Sequence, residues 1–309
     1  MDATVFRTAL DAGEVIVLDG GLATQLEAQG ADLSDALWSA RLLLEDPDAI
    51  VAAHLAYYRA GARVATTASY QATFEGFAAR GIGRGEGAGL LRRSVELAVR
   101  ARDRVIAERS DGVERFVAAS IGPYGAMLAD GSEYRGRYGM TVERLRDFHR
   151  PRLEVLAATD ADVLAIETIP ELEEAAALAD LVAETPGAAA WVSFSCADGA
   201  RLRSGVAIEE AVDAVARRSG VVAVGVNCTA PEHVPELIDR IAATTDLPIV
   251  AYPNSGEDWD AGAKAWTGDP HAGVDRRSAL RWIRHGARLV GGCCRVTPAQ
   301  IEDLAAAAL

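Results

Sequence analysis

The sequence predicts an α/β fold, a (β/α)8 TIM barrel, built as a single domain over residues 1–309. Three observations predict it. Short apolar runs rich in β-branched residues alternate with amphipathic helical stretches, the pattern of a parallel sheet. The runs look buried on both faces, as barrel strands are. Polar, acidic or thiol residues gather at the C-terminal end of each run, the face on which such barrels carry their chemistry.

In chain order, "VIVLDG" (15–20) opens the series and ends on Asp19. Residues 46–62 then place apolar residues at i, i+3, i+4 and i+7, so a helix is expected. "RVATTASY" (63–70) is the second strand, ending on Ser69, and 87–105 the next helix. "RFVAASIG" (115–122) carries Ser120 and leads through a glycine-rich loop to a helical stretch at 141–161. "VLAIET" (163–168) ends on Glu167 and precedes a helix at 171–184, and "WVSFSC" (191–196) ends on Cys196 before a helix at 207–219. "VVAVGVNC" (221–228) ends on Asn227–Cys228 and is followed by 231–244. "PIVAYPNS" (248–255) ends on Asn254–Ser255, and 274–287 leads into "RLVGGCC" (288–294), ending on Cys293–Cys294. Several helical stretches open with Asp, Thr or Pro and close on Gly, the usual end signals. A doubly wound open sheet is the rival topology. The first strand-to-helix turn, "DGGLATQL", lacks G-x-G-x-x-G, so a dinucleotide fold has little support.

Half of the 309 residues are hydrophobic, enough for a substantial core. The formal net charge of −14, with no basic cluster set against it, argues against a nucleic-acid partner and suits action on a small molecule. The N-terminal stretch is too polar for a signal peptide, and no apolar run approaches the ~18 residues of a membrane span. Four cysteines in a chain of this size are no disulfide framework. The expectation is a cytoplasmic protein with free thiols and no membrane partner.

On a barrel the sixth and eighth strand ends are near neighbours, so Cys228, Cys293 and Cys294 can meet at one point. Three thiolates suit Zn²⁺, and three protein ligands with a fourth position left over is the catalytic arrangement. Gly291 and Gly292 are expected to relax the backbone so that both adjacent thiols reach one metal. Inert buried thiols would not explain an adjacent pair, and a disulfide between neighbours would be strained. Cys196, also at a strand end, could be a fourth ligand but is read as a bystander. His54, His149, His233 and His285 fall in predicted helices and His271 in a loop, none with metal-ligand spacing to another. A centre with three thiolates is a poor Lewis acid for hydrolysis and is better suited to holding a further thiolate that stays nucleophilic. Its negative charge favours a cationic sulfonium as the alkyl donor.

The chain resembles the homocysteine S-methyltransferase family over nearly its whole length. The resemblance rests on "LDGGLATQLE", "TTASYQAT", "GPYGAMLADGSEYRG", "AIET", "GVNC", "YPNSGE" and "GGCCR". It implies a zinc-binding barrel that methylates L-homocysteine to methionine, with Cys228, Cys293 and Cys294 as the zinc ligands. It further implies that Asp19 and Glu167 bind the homocysteine ammonium and that the backbone at Gly20–Gly21 receives its carboxylate. Thr67 is implied as a pocket residue, and Asn227, beside Cys228, counts with the substrate-binding candidates. The residue types agree: two carboxylates suit an ammonium, and glycine N–H groups can approach a carboxylate closely. Two other readings stand beside these. Asp19 could cap the following helix, and Glu167 could be a charge-balancing acid in the barrel mouth.

The motifs at 122–136 and 69–77 resemble the bacterial and plant branch that uses S-methylmethionine and in some cases S-adenosylmethionine. On that resemblance no catalytic residue is needed beyond the zinc-activated substrate thiolate. Tyr124, Tyr134 and Tyr138 belong to a loop at 122–140 that either closes over the sulfonium by cation–π attraction or is an ordinary surface loop. The rivals are a betaine- or thetin-dependent methyltransferase, a non-catalytic zinc- or thiol-binding barrel and a zinc hydrolase. Oligomeric state and activity on selenohomocysteine are not legible in the sequence.

Overall fold

The computed structural model describes residues 1–33, 38–260, 265–267 and 273–308. The chain contributes β1 (Ile16–Val17), β2 (Val64–Thr66), β3 (Phe116–Ile121), β4 (Val163–Ile169), β5 (Ala190–Phe194), β6 (Val221–Asn227), β7 (Ile249–Tyr252), β8 (Asp258–Asp260), β9 (Ala265–Thr267) and β10 (Ala287–Val290). Eight of these form one parallel sheet in the order β1-β10-β7-β6-β5-β4-β3-β2. A parallel bridge from Leu18 to Val64 joins its two ends, so the sheet closes into the expected barrel. β8 and β9 form a separate antiparallel ribbon, Trp259 opposite Trp266, which the sequence reading did not foresee.

Period-two alternation divides each strand between two cores. Val64, Phe116, Ala118, Val163, Ala165, Trp191, Val250 and Leu289 pack inside the barrel. Their neighbours Val117, Leu164, Val192, Val224 and Ala251 face outward into the core shared with the helices. The barrel floor is closed by an N-terminal helix, Thr4–Asp11, also absent from the sequence reading. Its fully buried Phe6 meets Phe116 edge-on at 5.2 Å between ring centroids and Trp191 at 6.3 Å.

The expected helices are present as Pro47–Arg59, Arg84–Arg109, Val142–Ala157, Leu172–Glu184, Ile208–Ala216, Val234–Ala242 and Arg276–His285, with Pro298–Ala305 completing the ring. Asp46 and Asp275 cap two of them through Ala49 N–H and Ser278 N–H. No helix among the described residues is long and apolar enough to cross a membrane.

Candidate active site

The inward register that fills the barrel with apolar side chains becomes polar at the C-terminal strand ends. Counting by twos from the interior residues of each strand reaches Thr66 on β2, Ser120 on β3, Glu167 on β4, Ser193 on β5, Asn227 on β6 and Tyr252 on β7. These groups bond to one another across the barrel. Ser120 Oγ donates to Glu167 Oε1, and Tyr252 Oη donates to Glu167 Oε2 at 3.1 Å. Trp191 Nε1 donates to Tyr252 Oη at 3.0 Å, and Ser193 Oγ lies 2.6 Å from the same oxygen. Ser193 Oγ also donates to Asn227 Oδ1 at 2.9 Å.

Above this layer a cavity of about 260 Å³ opens at the barrel mouth, with Asp19, Glu167, Cys228, Cys293 and Cys294 on its wall. The three sulfurs lie within 4.8 Å of one another and could hold a metal ion. Cys228 Sγ is 3.5 Å from Cys294 Sγ, and Cys293 Sγ is 4.0 Å from Cys294 Sγ. Hydrogen bonds from Cys293 and Cys294 hold Cys228 well below the usual thiol range, while sharing protons with it pushes both partners up. Cys196 lies outside the group; its N–H donates to Thr229 Oγ1 at 2.9 Å, and burial pushes its thiol up to about 12.

Strained backbone aims this chemistry. Thr168, Cys228 and Arg295, all non-glycine, have φ of 61°, 47° and 66° and stand at the ends of β4, β6 and the "GGCC" segment. Each costs about 1–3 kcal/mol, which the surrounding hydrogen bonds must offset. Asn227 Oδ1 accepts from Thr168 N–H at 2.7 Å, and Cys228 N–H donates to Tyr252 O at 3.2 Å. Gly291 and Gly292 serve otherwise than expected: neither has positive φ. A Cβ on Gly291 would stand 2.6 Å from Leu18 Cβ, and one on Gly292 2.2 Å from Val296 Cγ1. They supply room, and the left-handed turn falls to Arg295.

Asp19 does not cap the following helix. Its Oδ2 accepts from Thr66 N–H at 2.7 Å and its Oδ1 from Thr66 Oγ1 at 2.9 Å, while the helix Leu22–Ala28 has Gly21 at its N-cap with no side-chain cap. Burial pushes Asp19 up to about 8, against the lowering effect of the Thr66 bonds, with the charge of Glu167 raising it further. Glu167 is pushed up to about 7, again by burial first, against the bonds from Ser120 and Tyr252. Among the described residues, the side-chain bonds of these two buried acids come from hydroxyl and backbone amide groups.

The other sequence candidates are placed as follows. Gly20 and Gly21 line the cavity, and Gly21 N–H is already donated to Val296 O at 3.0 Å. Thr67 lines it too, but its hydroxyl is 2.7 Å from Ser69 Oγ and accepts from Ser120 N–H at 3.0 Å. Asn227, expected as a substrate contact, lies behind the cavity wall. Its amide donates to Thr168 Oγ1 at 2.8 Å and to Cys293 Sγ at 3.8 Å. In the 122–140 loop, Tyr134 comes to the cavity with Oη 3.6 Å from Cys228 Sγ, whereas Tyr124 and Tyr138 pack on each other. His149 bonds Glu174, His285 bonds Asp239 and His54 is buried in the core, while His271 lies outside the described residues. The sequence reading missed Thr66, Tyr252 and Ser193; the period-two register would have found all three.

Residues 16–308 match the family described as homocysteine S-methyltransferase. The homocysteine S-methyltransferase YbgG of Bacillus subtilis is 47% identical over 300 residues, 96% of this chain and 95% of its own. The homocysteine S-methyltransferase of Escherichia coli is 48% identical over 301 residues, 97% of each chain, and homocysteine S-methyltransferase 2 of Arabidopsis thaliana 45% identical over 314 residues, 94% and 92%. The crystal structure of the homocysteine methyltransferase MmuM from Escherichia coli, in its metallated form, superposes with a TM-score of 0.88 at 45% identity, covering 97% of this chain and 99% of that one. A closed barrel, a triangle of thiols after β6 and after β10, and this similarity along almost the full length agree: the chain belongs to the homocysteine S-methyltransferase family.

Proposed function

We propose that this chain transfers a methyl group from a sulfonium donor, S-methylmethionine ahead of S-adenosylmethionine, to L-homocysteine, giving methionine, with zinc held by Cys228, Cys293 and Cys294. The observation that carries the reading is a sulfur triangle and a carboxylate pair on the wall of one small cavity. Zinc–sulfur bonds of about 2.3 Å place the sulfurs of a tetrahedral site about 3.8 Å apart, and two of the spacings here are 3.5 and 4.0 Å. Zinc bound there would lower the pKa of the homocysteine thiol and leave it a thiolate able to attack carbon.

The protein's own groups do the rest. Asp19 and Glu167 receive the ammonium of homocysteine. Gly21 N–H is already taken, so the backbone donors of this turn that remain for the carboxylate are Gly20 and the first residues of the following helix. Tyr252 and Ser120 hold Glu167 in place, and Thr66 holds Asp19. The homocysteine thiol proton leaves to solvent. A new sulfur–methyl bond forms as the donor's carbon–sulfonium bond breaks, and that bonding pair leaves with the donor sulfur as a neutral thioether. With S-methylmethionine as donor, both products are methionine.

Elemental analysis tests the metal half of this reading, with about one zinc per chain expected. Replacing all three cysteines by serine should abolish it. Stoichiometric zinc retained by that variant would overturn the ligand assignment.

A further inference from the structure

Arg295, the last residue of "GGCCR", is used neither by the sulfur triangle nor by the acid pair. It is the one basic side chain on the cavity wall among the described residues. Its position is built. Its backbone N–H donates to Thr24 Oγ1 at 3.0 Å, and its φ of 66° departs from the range a side chain favours. Its Nε donates at 3.0 Å to Oε2 of Glu257, a carboxylate only 6% exposed that also accepts from Ser255 Oγ at 2.8 Å. Among the described residues, Glu257 is the hydrogen-bond partner of this guanidinium. One edge of the fork is thereby fixed, and the terminal amino groups remain for a planar anion. Glu257 also cancels the charge of Arg295, so the pair does not repel a cation arriving at the cavity.

The reaction proposed above brings two amino acids to this cavity, and with them two carboxylates. The turn after β1 suits one, beside the acids that take the homocysteine ammonium. We infer that Arg295 binds the other, the α-carboxylate of the methyl donor, and so selects an amino-acid sulfonium over a simple alkyl sulfonium. The inference rests on the methyl-transfer reading and deepens it. S-methylmethionine and S-adenosylmethionine both present the required group.

The test compares wild type, Arg295→Met and Arg295→Lys, each loaded with zinc. The donors are S-methylmethionine, S-adenosylmethionine and dimethylpropylsulfonium, which has neither carboxylate nor amino group. In Arg295→Met, kcat/KM for the preferred amino-acid donor should fall about 10–100-fold, the loss of a charge-assisted contact. The KM for homocysteine and turnover of dimethylpropylsulfonium should stay within twofold. Arg295→Lys, which keeps the charge and loses the fork, should fall part of the way, and it carries the test if the methionine variant does not fold. Whichever amino-acid donor loses the most on substitution is the one held. Equal losses on all three donors, or a rise confined to the homocysteine KM, would overturn the inference alone. Absence of methyl transfer from any sulfonium by wild type would overturn the methyl-transfer reading, and this inference with it.

Discussion

Glu167 and Asp19 are buried carboxylates whose bonding partners are hydroxyl and amide groups, and on the proposed reading they receive the substrate ammonium. Loss of one charge-assisted contact costs about 1.5–3 kcal/mol, roughly 10–150-fold. Glu167→Gln should raise the KM for homocysteine by that factor and leave the donor KM little changed; an unmoved homocysteine KM with zinc intact would remove Glu167 from the substrate site. The same residue gives a pH signature. Its folded value of about 7 lies above the ordinary carboxylate range, so between about pH 4 and 7 the folded state binds more protons than the unfolded one. The contribution of Glu167 to stability is then fullest at low pH and declines as pH rises through that window, and that of Asp19, at about 8, declines over a wider one. Melting temperatures of wild type and Glu167→Gln should therefore diverge on going from pH 5 to pH 8.5, in favour of the glutamine variant. A gap that does not change with pH would contradict this. Cys196→Ser should leave zinc in place, because that thiol stands outside the triangle. At this scale the sequence placed the thiols and acids well, since each ends a strand. It could not separate Thr66, which bonds Asp19, from Thr67, which bonds Ser120 N–H, nor show that Asn227 lies behind the cavity wall. That distinction depends on which residue of a strand end faces inward.

The elements themselves were legible because the two periodicities, two for strands and 3.6 for helices, are strong over most of the chain. Strand register is what carries Glu167, Ser120 and Thr66 into the barrel mouth. The N-terminal helix escaped notice because eight residues offer only Phe6, Ala9 and Leu10 as a buried stripe. The ribbon strands at 258–260 and 265–267 are too short to show any pattern. Phe6→Ala should destabilise the fold by about 3–5 kcal/mol in urea unfolding, the cost of emptying a packed aromatic site, with zinc content unchanged. If stability is barely altered, the helix does not close the barrel floor. The "GGCC" segment is tighter. A methyl on Gly292 meets fully buried Val296, so Gly292→Ala should cost about 1–3 kcal/mol and loosen the metal. A variant of wild-type stability and full zinc content would show that the segment has slack.

At the scale of the whole molecule, closure of the sheet through Leu18 and Val64 is what turns separate motifs into one site. Cys228 and Cys293 are far apart in sequence and share one sulfur cluster, as do Asp19 and Glu167 one cavity. Methyl transfer between two sulfurs at that cavity is the chemistry this architecture is proposed to serve. Its most direct test incubates the zinc-loaded protein with deuterated homocysteine and unlabelled S-methylmethionine and resolves the products by mass. Deuterated and unlabelled methionine are expected in equal amounts, with lower rates when betaine replaces the sulfonium. No deuterated methionine from fully zinc-loaded protein, or faster turnover with betaine, would contradict it.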